Sequence, residues 1–271
     1  MNIQQSLKDF FDYLNDYDDE MLFQLTSSNV EDFGISSIVE SSSQDFFGGH
    51  CQFEYGASRF CIIPDNKNFI FKCSFAGTST DFSYNSESFS QQEIEEEKSR
   101  IYQLYPVSSD CEFEDGSGFI QYVEPFSGCI FQEESWSNYC EVEEAIYEYI
   151  EQHHQNLIPI FSKIEKVGTF YNIPVYIQPK VTKVANENYD YHPCNKKDST
   201  FLNEYISSHC TNRTVRHLSE NWLSSVIELY GRAVVIELLN FINENLSDLH
   251  SGNYGWIDDK PVIFDYAGYN E

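Results

Sequence analysis

Three oxygen-bearing side chains near the end of the chain have the types and spacing to do chemistry. Asp248 and Asn253 bracket the run Asp248-Leu249-His250-Ser251-Gly252-Asn253, and Asp265 follows after two short apolar segments and an Asp258-Asp259-Lys260 turn. A carboxylate beside a hydroxyl orients it and takes its proton. An amide oxygen and a second carboxylate are hard ligands of the kind that hold Mg2+. Upstream, Lys72 stands mid-strand in Phe71-Lys72-Cys73, and an ammonium among apolar neighbours needs an anionic partner. Each residue also has a plainer reading. Asp248 caps a turn-rich stretch, Asp265 ends a strand, Lys72 snorkels from an edge strand, His250 packs in the loop, and His153-His154 close a solvated helix end. Order and spacing favour the sharper reading for Asp248, Asp265 and Lys72, whereas the plainer one is kept for His250 and for His153-His154.

Asp248-Leu249-His250-Ser251-Gly252-Asn253, followed by Val262-Ile263-Phe264-Asp265-Tyr266-Ala267-Gly268, resembles the catalytic loop and metal-binding motif of the protein-kinase-like superfamily. The form is the Asp-x-His-x-x-Asn pattern of aminoglycoside phosphotransferases and related atypical kinases, and the same runs are similar to those of phage-encoded kinase-like proteins. The resemblance implies a reduced two-lobed α+β fold, with an antiparallel-sheet N-lobe and a mostly helical, truncated C-lobe. It implies ATP and Mg2+ as cofactors and phosphoryl transfer to a hydroxyl acceptor. Asp248 would position the acceptor hydroxyl, Asn253 and Asp265 would bind Mg2+, and Lys72 would hold the α- and β-phosphates, steadied by a helix glutamate. Glu143 is preferred for that glutamate, with Glu141 and Glu144 as alternatives. A second contender is the helix Gln91–Tyr105 with Glu93, Glu95, Glu96 and Glu97. The turn Gly56-Ala57-Ser58-Arg59 would cover the phosphates with backbone N–H groups, and Gln178-Pro179-Lys180-Val181 would be the hinge that meets adenine. Three features depart from the family: one glycine in the phosphate turn, Leu246 where a His is usual, and a sequence that stops six residues after Asp265, short of a full activation segment.

These residues need elements to position them. Ile3, Leu7, Phe10, Phe11, Leu14, Met21 and Leu22 recur at helical spacing and predict one or two amphipathic helices over 3–25, broken at Asp16 to Glu20. A Ser-rich loop, Ser36 to Ser43, follows. His50–Tyr55, Phe60–Ile63 and Phe69–Phe75 predict a three-strand antiparallel meander. Residues 77–138 read as an insertion with a charged helix at Gln91–Tyr105 and a hairpin at Gly116-Ser117-Gly118. A helix at Tyr139–His153 precedes strands Leu157–Val167 and Ile173–Val181. Segment 182–218 reads as polar loop, and Asn221–Asn245 as one long amphipathic helix. The expected divisions are a helical extension at 1–49, an N-lobe at 50–181 and a C-lobe at 182–271.

Composition narrows the partners. The chain has 271 residues, with 44 Asp+Glu against 16 Lys+Arg, a formal charge of −28. A surface of that sign repels nucleic acid and anionic membranes. Hydrophobic content of 41% and aromatic content of 16% supply far more core than a disordered acidic chain holds. No apolar run suffices to span a bilayer and no leader pattern opens the sequence, so a cytoplasmic protein is expected, in the host cytoplasm for a phage protein. The eight cysteines are scattered without a Cys-x-x-Cys pair, which fits reduced, mostly buried thiols. Asn212-Arg213-Thr214 matches a glycosylation pattern, which is set aside with no sign of secretion. The acceptor is either a protein or a small molecule; a protein is preferred, and a basic one. The competing expectation is a catalytically inactive kinase-like acidic protein that binds a basic partner as a nucleic-acid mimic.

Overall fold

The computed structural model describes residues 2–17, 38–39, 42, 44–55, 59–74, 77–105, 108–125, 139–171, 173–183, 194–247 and 249–267. The chain is α+β with antiparallel sheets. It divides into two compact units: Met1–Gly128 with Gln132–Tyr139 and Lys166–Tyr176, and Cys129–Phe131 with Cys140–Glu165 and Ile177–Glu271. Among the described residues no helix is long and apolar enough to cross a membrane.

The first unit is built on a sheet of strands β1 (Cys51–Tyr55), β2 (Arg59–Pro64), β3 (Phe69–Ser74), β7 (Glu165–Phe170) and β8 (Ile173–Pro179), ordered β1-β2-β3-β8-β7. β1–β2 and β2–β3 pair antiparallel, as the meander predicts. Alternation gives the sheet two different faces. Phe53, Phe60, Ile62, Phe71 and Cys73 are buried on one. On this side helix α1 (Ile3–Tyr17) packs through Leu7, Phe10, Phe11 and Leu14, which recur at i, i+3, i+4 and i+7. Phe11 stacks on Phe170 with ring centroids 5.7 Å apart, and Phe10 reaches Phe47, which meets Phe71 at 5.1 Å. Burying four such side chains stabilises the contact by roughly 6–12 kcal/mol before entropy. Residues 18–37 and most of Ser36 to Ser43 lie outside the described residues, and with them Met21 and Leu22.

The first unit also holds a small module where an insertion is expected. Strands β4 (Gly77–Tyr84), β5 (Ser109–Glu112) and β6 (Gly118–Pro125) form an antiparallel sheet ordered β4-β6-β5. Helix α2 (Gln91–Leu104) packs on it, burying Ile94 and Ile101 with Tyr84, Ile120 and Tyr122. α2 starts on a capping box: Ser90 Oγ accepts from Glu93 N–H, and Glu93 Oε2 accepts from Ser90 N–H at 2.8 Å. Lys98 is paired to Asp110 at 2.7 Å and lies 4.5 Å over the Tyr84 ring. Burial opposes its charge, but the bonds to Asp110 and Tyr84 outweigh that and raise its pKa. Tyr84 can seat there because Gly118 has no side chain: a Cβ would stand 2.6 Å from the Tyr84 hydroxyl and 2.3 Å from the Cys111 carbonyl.

Helix α3 (Tyr139–His153), which lies in the second unit from Cys140 on, runs over the predicted span. Four expectations are corrected in and around this unit. The strand expected at Leu157–Val167 is a 3-10 helix, Gln155–Ile160, followed by β7; Pro159 sits inside that helix, and Leu157 and Ile160 are both buried. The expected strand Ile173–Val181 ends at Pro179. The polar stretch 182–218 contains β9 (Thr182–Lys183), helix α4 (Lys196–His209), N-capped by Asn195, and a 3-10 helix at Thr214–His217. The single long helix is two, α5 (Glu220–Tyr230) and α6 (Arg232–Asn245), separated by Gly231 at φ +86°, which only glycine adopts at no steric cost. β9, β10 (Tyr254–Ile257) and β11 (Lys260–Ile263) make an antiparallel sheet ordered β11-β10-β9. Trp222 of α5 is buried against it, donating its indole N–H to the Gly255 carbonyl at 3.0 Å.

Candidate functional site

The best-defined part of the candidate site lies in the second unit, where the β10–β11 hairpin closes on the loop before it. The hairpin turns at Asp258 and Asp259, at φ 48° and 63°. Left-handed residues at both central positions are what a tight two-residue hairpin turn needs. The return brings Phe264 and Asp265 alongside Asn253. The Asn253 carbonyl accepts from the N–H groups of both Phe264 (3.0 Å) and Asp265 (3.3 Å). Two expected cation ligands, twelve positions apart in the sequence, are thereby fixed to each other through the backbone. Asn253 is buried and Asp265 half-buried.

The loop that carries Asn253 is tied down from three sides. Asn253 N–H donates to the His250 carbonyl at 2.9 Å, and Gly252 N–H donates to His250 Nδ1 at 3.0 Å. His250 is exposed rather than packed as expected, and it organises the loop with its Nδ1 as acceptor. Behind the loop, Asn212 Nδ2 donates to the Leu246 carbonyl at 2.7 Å and Thr214 Oγ1 donates to the Ser247 carbonyl at 2.6 Å. The carbonyls at the end of α6, left without helical partners, are satisfied by these side chains. Asn212 and Thr214 belong to the tripeptide set aside as a glycosylation pattern; their work was missed because a polar side chain's target 30 or more residues away leaves no local spacing signal.

Glu143 lies on α3, 0% exposed, and its Oε1 accepts from the N–H of Tyr266 at 3.1 Å. The preferred glutamate thus contacts the residue directly after Asp265. Its alternatives are placed differently. Glu141 is exposed and Glu144 half-buried. On α2, Glu93 caps the helix, Glu97 pairs with Arg100, and Glu95 and Glu96 accept from Gln91 and Gln92 at the surface. Gln178, at the end of β8, is 1% exposed and donates through Nε2 to the Ser162 carbonyl at 3.1 Å.

Lys72 and Arg59 belong to the first unit. Lys72 is 3% exposed, so it does not snorkel. It stands directly across from Cys61, and Arg59 directly across from Ser74. Residues paired this way share a sheet face, as do Arg59 and Cys61 two positions apart. Two buried cations therefore occupy the face opposite the aromatic core. The Arg59 guanidinium also lies 5.9 Å from the Tyr139 ring centroid. Asp248, Gly56 and Ser58 lie outside the described residues.

Asn253 and Asp265 offer one amide oxygen and one carboxylate. Among the described residues no group of three or more His, Cys, Asp or Glu side chains could hold a metal unaided. That donor set fits Mg2+, which takes one or two protein oxygens and completes its shell with phosphate and water. Comparison with known proteins returns no family model, no curated protein and no solved structure that matches the chain.

Proposed function

We propose that this chain is an atypical ATP- and Mg2+-dependent kinase with a reduced two-lobed kinase-like fold, transferring a phosphoryl group to the hydroxyl of a basic protein. The observation that carries the proposal is the double hydrogen bond from the N–H groups of Phe264 and Asp265 to the Asn253 carbonyl, which ties the backbones of the two expected ligand residues together. Asn253 and Asp265 would hold Mg2+, which when bound neutralises charge across the phosphates. Lys72, with Arg59 on the same sheet face, supplies buried positive charge for phosphate oxygens. Asp248 orients the acceptor hydroxyl and takes its proton. The hinge residues Gln178 to Val181 meet adenine through their backbone.

The test is a thermal shift with Mg·ATP and a phosphate-transfer assay. A ligand that binds only the folded state raises the melting temperature, and Asp265→Ala abolishes both the shift and the transfer. Absence of a shift, with transfer unaltered in Asp265→Ala, refutes the proposal.

A second reading is favoured by a specific feature of the first unit. Asp9, Asp12, Asp16 and Asp45, with Tyr13 and Phe46, line a cavity of about 500 Å³. Such a groove suits a lysine or arginine of a basic partner, its stem on the rings and its charge among the carboxylates. Salt-sensitive binding of a basic protein without any response to Mg·ATP would select this reading.

A further inference from the structure

The sheet order β4-β6-β5 leaves β4 and β5 as edges. An edge strand offers a row of N–H and C=O groups to any chain that comes alongside, and proteins blunt such edges with shortness, lysine, proline or a bulge. β5 is guarded: it has four residues, and two of them, Asp110 and Glu112, are acidic. β4 is not. It runs eight residues, Gly77–Tyr84, without Lys or Pro, and pairs with β6 in unbroken register from Gly77 opposite Pro125 to Tyr84 opposite Gly118. Among the described residues no strand pairs with its other edge.

Alternation gives β4 two different sides. Tyr84 belongs to the core under α2, and Phe82 packs against that core while staying half-buried. Phe89, 36% exposed, lies beside Phe82 with ring centroids 5.7 Å apart. Asp81 and Ser83, on the opposite side, are exposed. A strand added next to β4 meets partly open aromatic rings on one side and a carboxylate on the other. Charge narrows the occupant further. The span Gly77–Pro125 holds eleven Asp and Glu against Lys98 and Arg100, and both bases are already paired, to Asp110 and Glu97. A second copy of this chain would set acid against acid along the same edge, which opposes pairing of β4 with itself.

We propose that the free edge of β4 is a docking site for an extended basic segment of a partner protein, which adds to the sheet as a fourth strand. Backbone hydrogen bonds supply the affinity and alternate side chains the selectivity. Apolar residues of the segment go towards Phe82 and Phe89, and lysine or arginine towards Asp81. The site lies within the first unit and needs neither nucleotide nor metal, so the inference stands independently of the kinase reading.

The probe is a fluorescein-labelled heptapeptide of alternating lysine and valine, titrated into the full chain at low salt without Mg·ATP and followed by fluorescence anisotropy. Amide hydrogen exchange locates it: slower exchange within 78–84, with 109–112 unchanged, is expected. Replacing the central valine by proline keeps the charge but breaks strand pairing, and should weaken binding by about tenfold or more. Asp81→Lys should weaken it by about tenfold, whereas Glu95→Lys, the same charge change at an exposed position of α2, should stay within about twofold. Equal losses in the two variants overturn the proposal, as does a proline peptide that binds as tightly as its parent. No binding at up to about 1 mM peptide also overturns it. Protection at 9–16 in place of 78–84 assigns the peptide to the acidic cavity and overturns the β4 site. Protection of β4 that grows with protein concentration in the absence of peptide makes a second copy the occupant and overturns the basic partner. Where Asp81→Lys does not fold, the proline peptide and the exchange map carry the test.

Discussion

Asn212→Ala removes the side chain that ties the end of α6 to the segment before the 3-10 helix. The asparagine makes two short side-chain hydrogen bonds, Nδ2 to the Leu246 carbonyl at 2.7 Å and Oδ1 from Thr214 N–H at 2.9 Å. Its longer reaches to the carbonyls of Ile242 and Asn243, at 3.3 and 3.4 Å, share one donor group and add little. At about 1 kcal/mol net for each good bond, and with water able to replace part of a half-buried pair, the loss is about 1–2 kcal/mol. Asn212→Asp discriminates the mechanism. It keeps the acceptor for Thr214 N–H but loses the donors and sets a negative charge on the carbonyl end of a helix. That charge costs a further few tenths of a kcal/mol, so the aspartate variant should be no more stable than the alanine one. Urea denaturation of the three proteins, with unchanged m values, measures both differences. A loss below about 0.5 kcal/mol for Asn212→Ala, or an aspartate variant more stable than the alanine variant, would refute the capping argument.

Two further outcomes follow from local geometry. Gly255→Ala places a Cβ 1.9 Å from the Thr182 carbonyl oxygen on the paired strand; the pairing of β9 with β10 must open, and the melting temperature should fall by an amount corresponding to about 3 kcal/mol or more. Cys51 is buried, and burial, reinforced by the carboxylates of Asp65 and Asp45, pushes its thiol up to about 12 from an ordinary value of 9.0. At pH 8 it should resist iodoacetamide in the folded protein and react once unfolded. The unfolded thiol loses its proton first, so its contribution makes stability fall as pH rises from about 9 towards 12, and Cys51→Ala should flatten that part of the profile.

Elements with a strong period and short-range punctuation were legible in the sequence. The meander β1–β3 was visible because short apolar runs holding Phe53, Phe60, Ile62 and Phe71 are set off by turn residues, Pro64-Asp65-Asn66-Lys67-Asn68 between two of the strands. α3 was visible for its apolar stripe, and the β10–β11 hairpin for its Asp258-Asp259 turn. The break at Gly231 was hidden because Val226, Ile227, Tyr230, Val234 and Leu238 keep helical spacing through the glycine, and α4 because Phe201, Leu202 and Tyr205 are thinly spread among polar residues. In the candidate site, the types and order of Asn253 and Asp265 were readable. Their common anchor was not, because a backbone carbonyl leaves no mark on residue type. Glu143 was singled out by type, but its bond from the Tyr266 N–H was not readable, because the two lie more than a hundred positions apart.

The charge balance bears on the acceptor more than on the nucleotide. Among the described residues, Lys8, Lys98, Arg100, Lys163 and Arg232 are each engaged by a carboxylate in ion pairs with Asp12, Asp110, Glu97, Glu165 and Asp198. These pairs cancel within themselves and leave the surplus of acid untouched. Arg59 and Lys72 are buried on one sheet face, where low-dielectric surroundings weaken screening by salt. Under the proposed kinase reading, bound Mg2+ and these buried residues would have to offset a chain that carries −28 as a whole. Under the same reading, a macromolecular acceptor would meet the acid surplus of the surface. For that reason a basic acceptor should associate quickly at low salt and lose that advantage as salt rises, whereas the affinity for Mg·ATP should depend on salt far less.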